Sequence, residues 1–269
     1  MRRYDNRRMV LIGTCHVDPS GPQRLEEALR TLQPSHLAAE ISEDRLREEV
    51  RERFRREYDR FESIMLEDKG IILAPDMEEK LKERYEAFDA LSNYEFHAVK
   101  GYAHEHGLPI SYIDLPFSTI MDYDTFCKGA AESNFLNLES LETETIISYL
   151  NKDTDELLQD SQTLSQDIYE RNRMLKGAYA MVKDNPEFVG RVVYREQTEY
   201  PWTWSEELRA YLSYIDSTHR EEEMERNLRT IFDDMSDGIL VAPIGANHLI
   251  PLMYRLEDIF PSTYLLDDF

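Results

Sequence analysis

Cysteine is scarce in this chain of 269 residues, which contains only Cys15 and Cys127. A disulfide framework is therefore not expected, and a reducing compartment is the default. Long apolar runs are also lacking, because none reaches the roughly 18 residues that a membrane-spanning helix needs. The apolar stretch after the basic N-terminus is too short for the core of a signal peptide. The sequence thus predicts a cytoplasmic protein without a membrane span.

Positive charge is in short supply as well. The chain has 31 lysine and arginine residues against 54 acidic ones, a formal net charge of -23. Such a charge argues against nucleic acid or an anionic membrane surface as a partner. The acidic residues are spread along the chain, and arginine outnumbers lysine. This pattern is typical of proteins from a salty cytoplasm, as in halophiles, and is equally compatible with an ordinary acidic soluble protein.

Two apolar runs near opposite ends of the chain each lead into a Gly-x-x-His motif. Residues 9–12 precede Gly-Thr-Cys-His, which ends at His16, and residues 238–244 precede Gly-Ala-Asn-His, which ends at His248. A short apolar run that ends in glycine predicts a buried strand that enters a tight turn. Both histidines should then lie just beyond the carboxyl ends of strands, where open α/β sheets bind their ligands.

Two further predicted strands end in carboxylates. Residues 37–39 lead into Glu40, and residues 109–113 lead into Asp114. The order of strand, helix and strand at the start of the chain predicts that the first two strands form a parallel pair with a right-handed crossover. Glu40 should therefore emerge at the same edge of the sheet as His16.

The rest of the chain is mostly helical in pattern. Residues 46–69 are dense in opposite charges at helical spacing, as in a long solvated helix. Between about 117 and 200 the sequence is polar and acidic with helical periodicity, which indicates an insertion. We therefore predict a single α/β domain over residues 1–269. It has a mainly parallel central sheet flanked by helices and a long helical insertion at about 117–200.

Imidazole and carboxylate side chains bind divalent metals and transfer protons near neutral pH. Taken singly, a histidine or an acid at a strand end is often structural, but four such groups at one edge indicate a site. Cys15 is a weaker candidate as a nucleophile, because no motif for an oxyanion hole accompanies it. Two imidazoles and a carboxylate, from His16, His248 and Glu40, would make a three-ligand metal site with open positions, as in catalytic ions.

These motifs resemble the TraB/PrgY family, within the wider group that includes the TIKI Wnt-cleaving proteases and the GumN proteins. The similarity covers most of the chain outside the insertion. It is carried by both Gly-x-x-His motifs, EISEDR at 40–45, Glu95-Phe96-His97-Ala98 with Ala103, IDLP at 113–116, and Glu225-Arg226-Asn227. One departure is Leu115, where related sequences often have arginine after the aspartate, and it weakens the case for a role of Asp114.

The resemblance implies a metal-dependent, metallopeptidase-like hydrolase that acts on a peptide or small-molecule substrate. His16 and His248 would then be metal ligands, and Glu40 a ligand or the base that activates water. Glu95, Arg226 and Asn227 would orient groups or stabilise developing negative charge. The ion would be Mn²⁺, Co²⁺ or Zn²⁺, since ligand softness does not choose among them. Two alternatives stay open: a metal-independent esterase-type hydrolase that uses histidine and glutamate, and a non-catalytic protein that binds and sequesters a peptide signal.

Overall fold

The computed structural model describes residues 6–73, 75–139, 142–193 and 200–269, and within them it forms one parallel five-stranded sheet with helices around it. The strand order is β3-β2-β4-β1-β5. The strands are β1 (Arg7–Thr14), β2 (His36–Ala39), β3 (Ile110–Tyr112), β4 (Gly238–Gly245) and β5 (Ser262–Leu265). The predicted α/β class with a parallel central sheet is therefore confirmed.

β1 and β4 pair along their whole length, from Arg7 opposite Gly238 to Thr14 opposite Gly245. The two Gly-x-x-His motifs consequently leave the sheet side by side. One prediction about pairing is wrong: β1 and β2 are parallel but not neighbours, because β4 lies between them and pairs with both. Tertiary pairing placed a strand from the far end of the chain in the centre of the sheet.

The helices take up most of the remaining described chain. They are α1 (Gly21–Leu32), α2 (Glu48–Asp68), α3 (Pro75–Ser92), α4 (Tyr94–His106), α5 (Tyr123–Glu139), α6 (Thr143–Asn151), α7 (Thr154–Val182), α8 (Pro186–Val193), α9 (Glu206–Ile215), α10 (Thr218–Asp234) and α11 (Ala246–Arg255). Short 3₁₀ helices cover Glu43–Leu46, Phe117–Thr119 and Leu266–Asp268. Among the helices of the described ranges, none combines the length and the apolar character that crossing a membrane requires.

The core is built around the central strands. Residues 9–12 of β1 are buried in succession, as expected for a parallel strand that is covered on both faces. Helices α1, α4, α10 and α11 contribute buried apolar side chains to the same core, among them Leu29, Val99, Leu228 and Leu249. The strand ends, and with them the glycine–histidine motifs, are therefore held on a rigid support.

The predicted insertion is helical where it is described, and it contains α5, α6, α7 and α8. Residues 140–141 and 194–199 of the insertion lie outside the described part. Helix α7 begins with a capping box in which Asp153 and Glu156 each accept a backbone hydrogen bond. Its buried Tyr169 reaches the turn at Cys15, so the insertion contributes directly to the edge of the sheet that carries His16.

Candidate functional site

His16, Glu40 and His248 converge at the carboxyl edge of the sheet, as predicted. Oε1 of Glu40 lies 3.4 Å from Nε2 of His248. Oε2 of Glu40 accepts a hydrogen bond from the backbone N–H of Gly245, which directly precedes α11. A Cβ atom added to Gly245 would lie 3.1 Å from Nε2 of His16 and 3.5 Å from Oε2 of Glu40. Glycine at position 245 therefore allows Nε2 of His16 to approach the backbone closely, whereas Glu40 would make only an ordinary contact with an added Cβ.

His16 is oriented by Glu95, which lies in the first turn of α4. Nδ1 of His16 is 2.8 Å from Oε1 of Glu95. With a carboxylate as acceptor, Nδ1 carries the proton and Nε2 is left to face the space beside Gly245. The predicted site residue Glu95 is thus brought into direct contact with His16.

The two neighbouring carboxylates change the acidity of His16. Partial burial disfavours the charged imidazole, but the charge and hydrogen bond of Glu95 and the charge of Glu40 outweigh it and raise the pKa of His16 from 6.5 to about 9. The side chain of His16 is 55% exposed, so added salt screens this attraction and brings the pKa closer to 6.5. The two carboxylates therefore make His16 easier to protonate than a free imidazole.

Two tyrosines fix the turn that carries His16. The hydroxyl of Tyr169 donates to Oδ2 of Asp18 at 3.0 Å and accepts from the backbone N–H of Cys15 at 3.2 Å. The hydroxyl of Tyr94 donates to the carbonyl of Cys15 at 3.3 Å. Burial raises the pKa of Tyr169, and the Asp18 carboxylate raises it further, so the hydroxyl stays a donor. The Cys15 side chain is itself buried, which fits a structural role better than a nucleophilic one.

Glu40 is a buried carboxylate that is held in its charged form. Burial alone would raise its pKa, but the charges of His248, Arg220 and His16 and the Gly245 N–H hold the pKa of Glu40 well below its usual range. Nη2 of Arg220 donates to Oε1 of Glu40 at 3.0 Å. Glu40 is therefore a fixed anion and a poor proton donor near neutral pH.

Arg220, in the first turn of α10, is a site residue that the sequence analysis missed. Its guanidinium donates from Nε to Oδ1 of Asp114 at 2.9 Å and from Nη2 to Oδ2 at 2.8 Å. The backbone N–H of Leu115 also donates to Oδ1 of Asp114, at 2.8 Å. The argument that Leu115 weakens the case for Asp114 is thus corrected, because Asp114 is fully buried and anchors Arg220 beside Glu40.

Glu221, the next residue of α10, was missed too. Oε1 of Glu221 lies 3.0 Å from Nδ1 of His248, and both side chains are buried. His248 therefore presents Nε2 toward Glu40 and Arg220 while Glu221 holds its other nitrogen. The sequence at 218–223 is mostly charged and does not show that Arg220 and Glu221 are buried, because a buried charged residue and a solvated one look the same in a sequence.

Arg226 and Asn227 lie further along α10. Nδ2 of Asn227 donates to the carbonyl of Ile113 at 3.1 Å and to Oε1 of Glu223 at 3.2 Å. Asn227 thereby ties α10 to the residues after β3. Arg226 points outward and pairs with Glu223, next to a shallow concavity that also contacts Leu115. The structure therefore brings Asn227 close to the segment that carries Asp114, and it turns Arg226 toward solvent.

The donor atoms at this edge of the sheet do not suit the metal ion that the resemblance implies. Among the described residues, no group of three or more histidine, cysteine, aspartate or glutamate side chains is spaced to hold an ion. A guanidinium nitrogen of Arg220 lies 3.5 Å from Nε2 of His248 and another lies 3.0 Å from Oε1 of Glu40. A resident cation thus faces two of the three expected ligands, and the arrangement does not fit a three-ligand metal site.

A groove of about 540 Å³ runs along the same side of the sheet, beyond β2 and β3. Its lining includes Asp44, Phe117, Ser118 and Ile120, and does not include the three predicted site residues. Since Glu40 and His248 are buried and His16 is exposed, access to the cluster is on the His16 side.

Comparison of the chain with protein-family models, curated proteins and solved structures finds no match. The resemblance to the TraB/PrgY family therefore rests on the motif residues alone and stays a prediction.

Proposed function

We propose that the protein is a hydrolase that cleaves an ester or peptide bond, with His16 as the group that transfers the proton. The observation that carries the proposal is the His16–Glu95 pair at an accessible strand end, with Nε2 of His16 beside Gly245 and the Glu40 carboxylate. A carboxylate that orients the imidazole of an exposed histidine is the arrangement of a general base.

In the proposed reaction, Nε2 of neutral His16 takes a proton from water, and the water oxygen attacks the substrate carbonyl carbon. Glu95 accepts the hydrogen bond from Nδ1 and stabilises the imidazolium that forms. The imidazolium then gives its proton to the leaving oxygen or nitrogen as the bond to the carbonyl carbon breaks.

The arrangement of Arg220 supports the metal-independent form of this chemistry over the metal-dependent form. Glu40 serves as a fixed anion that, like Glu95, stabilises protonated His16. We further propose a peptide or small-molecule ester as substrate and a cytoplasmic location. The two cysteines are both free and buried, which agrees with a reducing compartment.

The test is turnover of a panel of activated esters and a peptide library in the presence of a chelator, with products identified by mass spectrometry. His16→Gln should lower kcat/KM by about 10²-fold or more, since a positioned base contributes roughly that much. His106→Ala is the matched control, because His106 is an exposed histidine at the opposite end of α4 from Glu95.

Three outcomes would contradict the proposal. Wild-type protein that forms no product from any substrate, yet binds library peptides, would favour the non-catalytic alternative. Activity that appears only when Mn²⁺, Co²⁺ or Zn²⁺ is supplied would favour the metal-dependent alternative. Equal activity of His16→Gln and wild type would remove His16 from the reaction.

A further inference from the structure

The cluster of Glu40, Asp114 and His248 already contains a cation, the guanidinium of Arg220. The Arg220 side chain is 5% exposed and lies against Glu40 and Asp114, whose side chains are 7% and 0% exposed. One guanidinium nitrogen, Nη2, is 3.0 Å from Oε1 of Glu40 and 2.8 Å from Oδ2 of Asp114. The other, Nη1, is 3.5 Å from Nε2 of His248. Three potential metal-ligating atoms from three different strand ends therefore surround one guanidinium.

The surroundings of His248 match those of a metal-ligating histidine. Such histidines usually donate their second ring N–H to a carboxylate, a backbone carbonyl or water, which fixes the tautomer and makes the ligating nitrogen more basic. Glu221 fills that role at Nδ1 of His248, at 3.0 Å. The nitrogen that would bind an ion is Nε2, and it faces Arg220 instead.

We infer that Arg220 occupies the place of a divalent ion and makes this centre metal-independent. Glu40, Asp114 and His248 form a metal donor set that its guanidinium masks. The inference concerns ion binding and does not depend on turnover, so it can fail or hold separately from the proposed hydrolase activity. Two carboxylates and an imidazole are a donor set that suits Mn²⁺ or Zn²⁺.

The distances explain why these atoms are not spaced for an ion in the native protein. Zinc binds carboxylate oxygens at about 2.0–2.2 Å. In the native protein, Nη2 of Arg220 takes the place of the ion and lies 2.8 Å from the oxygen of Asp114 and 3.0 Å from that of Glu40, so the two oxygens are held too far apart for zinc. Removal of the guanidinium would take away the nearest cation of both buried carboxylates and leave Asp114 with the more distant, partly exposed Arg45, whose Nη1 is 3.7 Å from Oδ2 of Asp114. A small cation between the two carboxylates would restore the lost counter-charge, since an undercompensated buried charge is strongly disfavoured.

The experiment is calorimetric titration of the full chain with MnCl₂ and ZnCl₂. Wild type should show no saturable binding at one site. Arg220→Met, which keeps the unbranched first part of the side chain but not its charge, should bind one ion with a Kd at least 100-fold below the highest ion concentration that leaves wild type unsaturated. Arg220→Lys, which keeps the charge, should behave like wild type. Addition of His248→Ala to Arg220→Met should abolish the gained binding.

Circular dichroism with and without ions covers the case in which Arg220→Met folds poorly. Folding of this variant on addition of Mn²⁺ or Zn²⁺ supports the donor set, and a chain that stays unfolded with either ion refutes it. A folded Arg220→Met that gains no binding refutes it equally. One-site binding by wild type that His16→Ala or His248→Ala abolishes would overturn the inference as a whole.

Discussion

The variant Gly245→Ala tests whether the position of His16 matters for activity independently of the stability of the fold. Gly245 has φ -52 and ψ 133, a backbone conformation that alanine adopts without strain. The new Cβ would lie 3.1 Å from Nε2 of His16, closer than side chains normally pack, and 3.5 Å from Oε2 of Glu40, an ordinary contact. Since the side chain of His16 is more than half exposed, it should move by a few tenths of an ångström and relieve the contact.

The expected loss is therefore in activity and not in stability. A reacting group displaced by about 1 Å costs on the order of 10²-fold in rate, so a shift of a few tenths of an ångström should lower kcat/KM by about 10-fold. The unfolding free energy should change by less than about 1 kcal/mol, because alanine restricts the unfolded chain but caps a helix less well than glycine.

Gly21→Ala is the comparison for stability alone, since it adds the same methyl group at another glycine beside a helix start but clashes with Tyr94, which fixes the turn of His16. There the Cβ would lie 2.4 Å from Cζ of Tyr94, a ring that is 2% exposed and cannot move outward. Overpacking of this kind costs about 1–3 kcal/mol, or roughly 2–10 °C in the melting midpoint of a chain of this size.

The assays are thermal melts of both variants and the kcat/KM of Gly245→Ala on the best substrate from the ester and peptide panel. Equal destabilisation of the two variants would show that position 245 is a packing position like position 21. Full activity of a stable Gly245→Ala would show that the placement of His16 does not limit the reaction. Either result refutes the reasoning.

Four further predictions concern charge and burial. Glu95→Gln should lower the pKa of His16 toward or below 6.5, because only the weaker attraction of Glu40 then opposes the effect of partial burial. NMR titration of the imidazole measures this pKa. An unchanged pKa would contradict the role assigned to Glu95. In wild type this pair should stabilise the fold fully below pH 6.5 and lose that contribution as the pH rises through about 9, while kcat/KM rises over the same range as His16 becomes neutral. Tyr169→Phe should lower the unfolding free energy by about 1–3 kcal/mol in urea denaturation, because it leaves the buried Asp18 carboxylate and Cys15 N–H without this partner. Tyr123→Phe is the control and should change the unfolding free energy little, because Tyr123 is about half exposed. Equal urea midpoints of the two variants would argue against the role of Tyr169. With a net charge of -23, the melting midpoint should rise with KCl, and a flat or falling midpoint would remove the halophile interpretation.

The local pattern of the sequence determined the fold class and half of the site. Residues 9–12 and 238–244 are continuous apolar runs that end in glycine, as expected for parallel strands that are covered on both faces. The glycine after each run marks the strand end, so His16 and His248 could be placed at the carboxyl edge from sequence spacing alone. Glu40 followed from the same logic, because parallel strands present their carboxyl ends on one side.

The order of the strands in the sheet and the burial of charged residues depend on the tertiary structure and could not be predicted from the sequence. The first two strands seemed to be neighbours, yet β4 separates them, because the choice of partner depends on contacts between segments about 200 residues apart.

Arg220 and Glu221 stand in a run of charges on α10 that reads as a solvated helix face. Their burial follows from Asp114, Glu40 and His248, which reach the same point from three strand ends. A charged side chain enters a protein interior only where its counter-charges already converge, and no local pattern records that convergence.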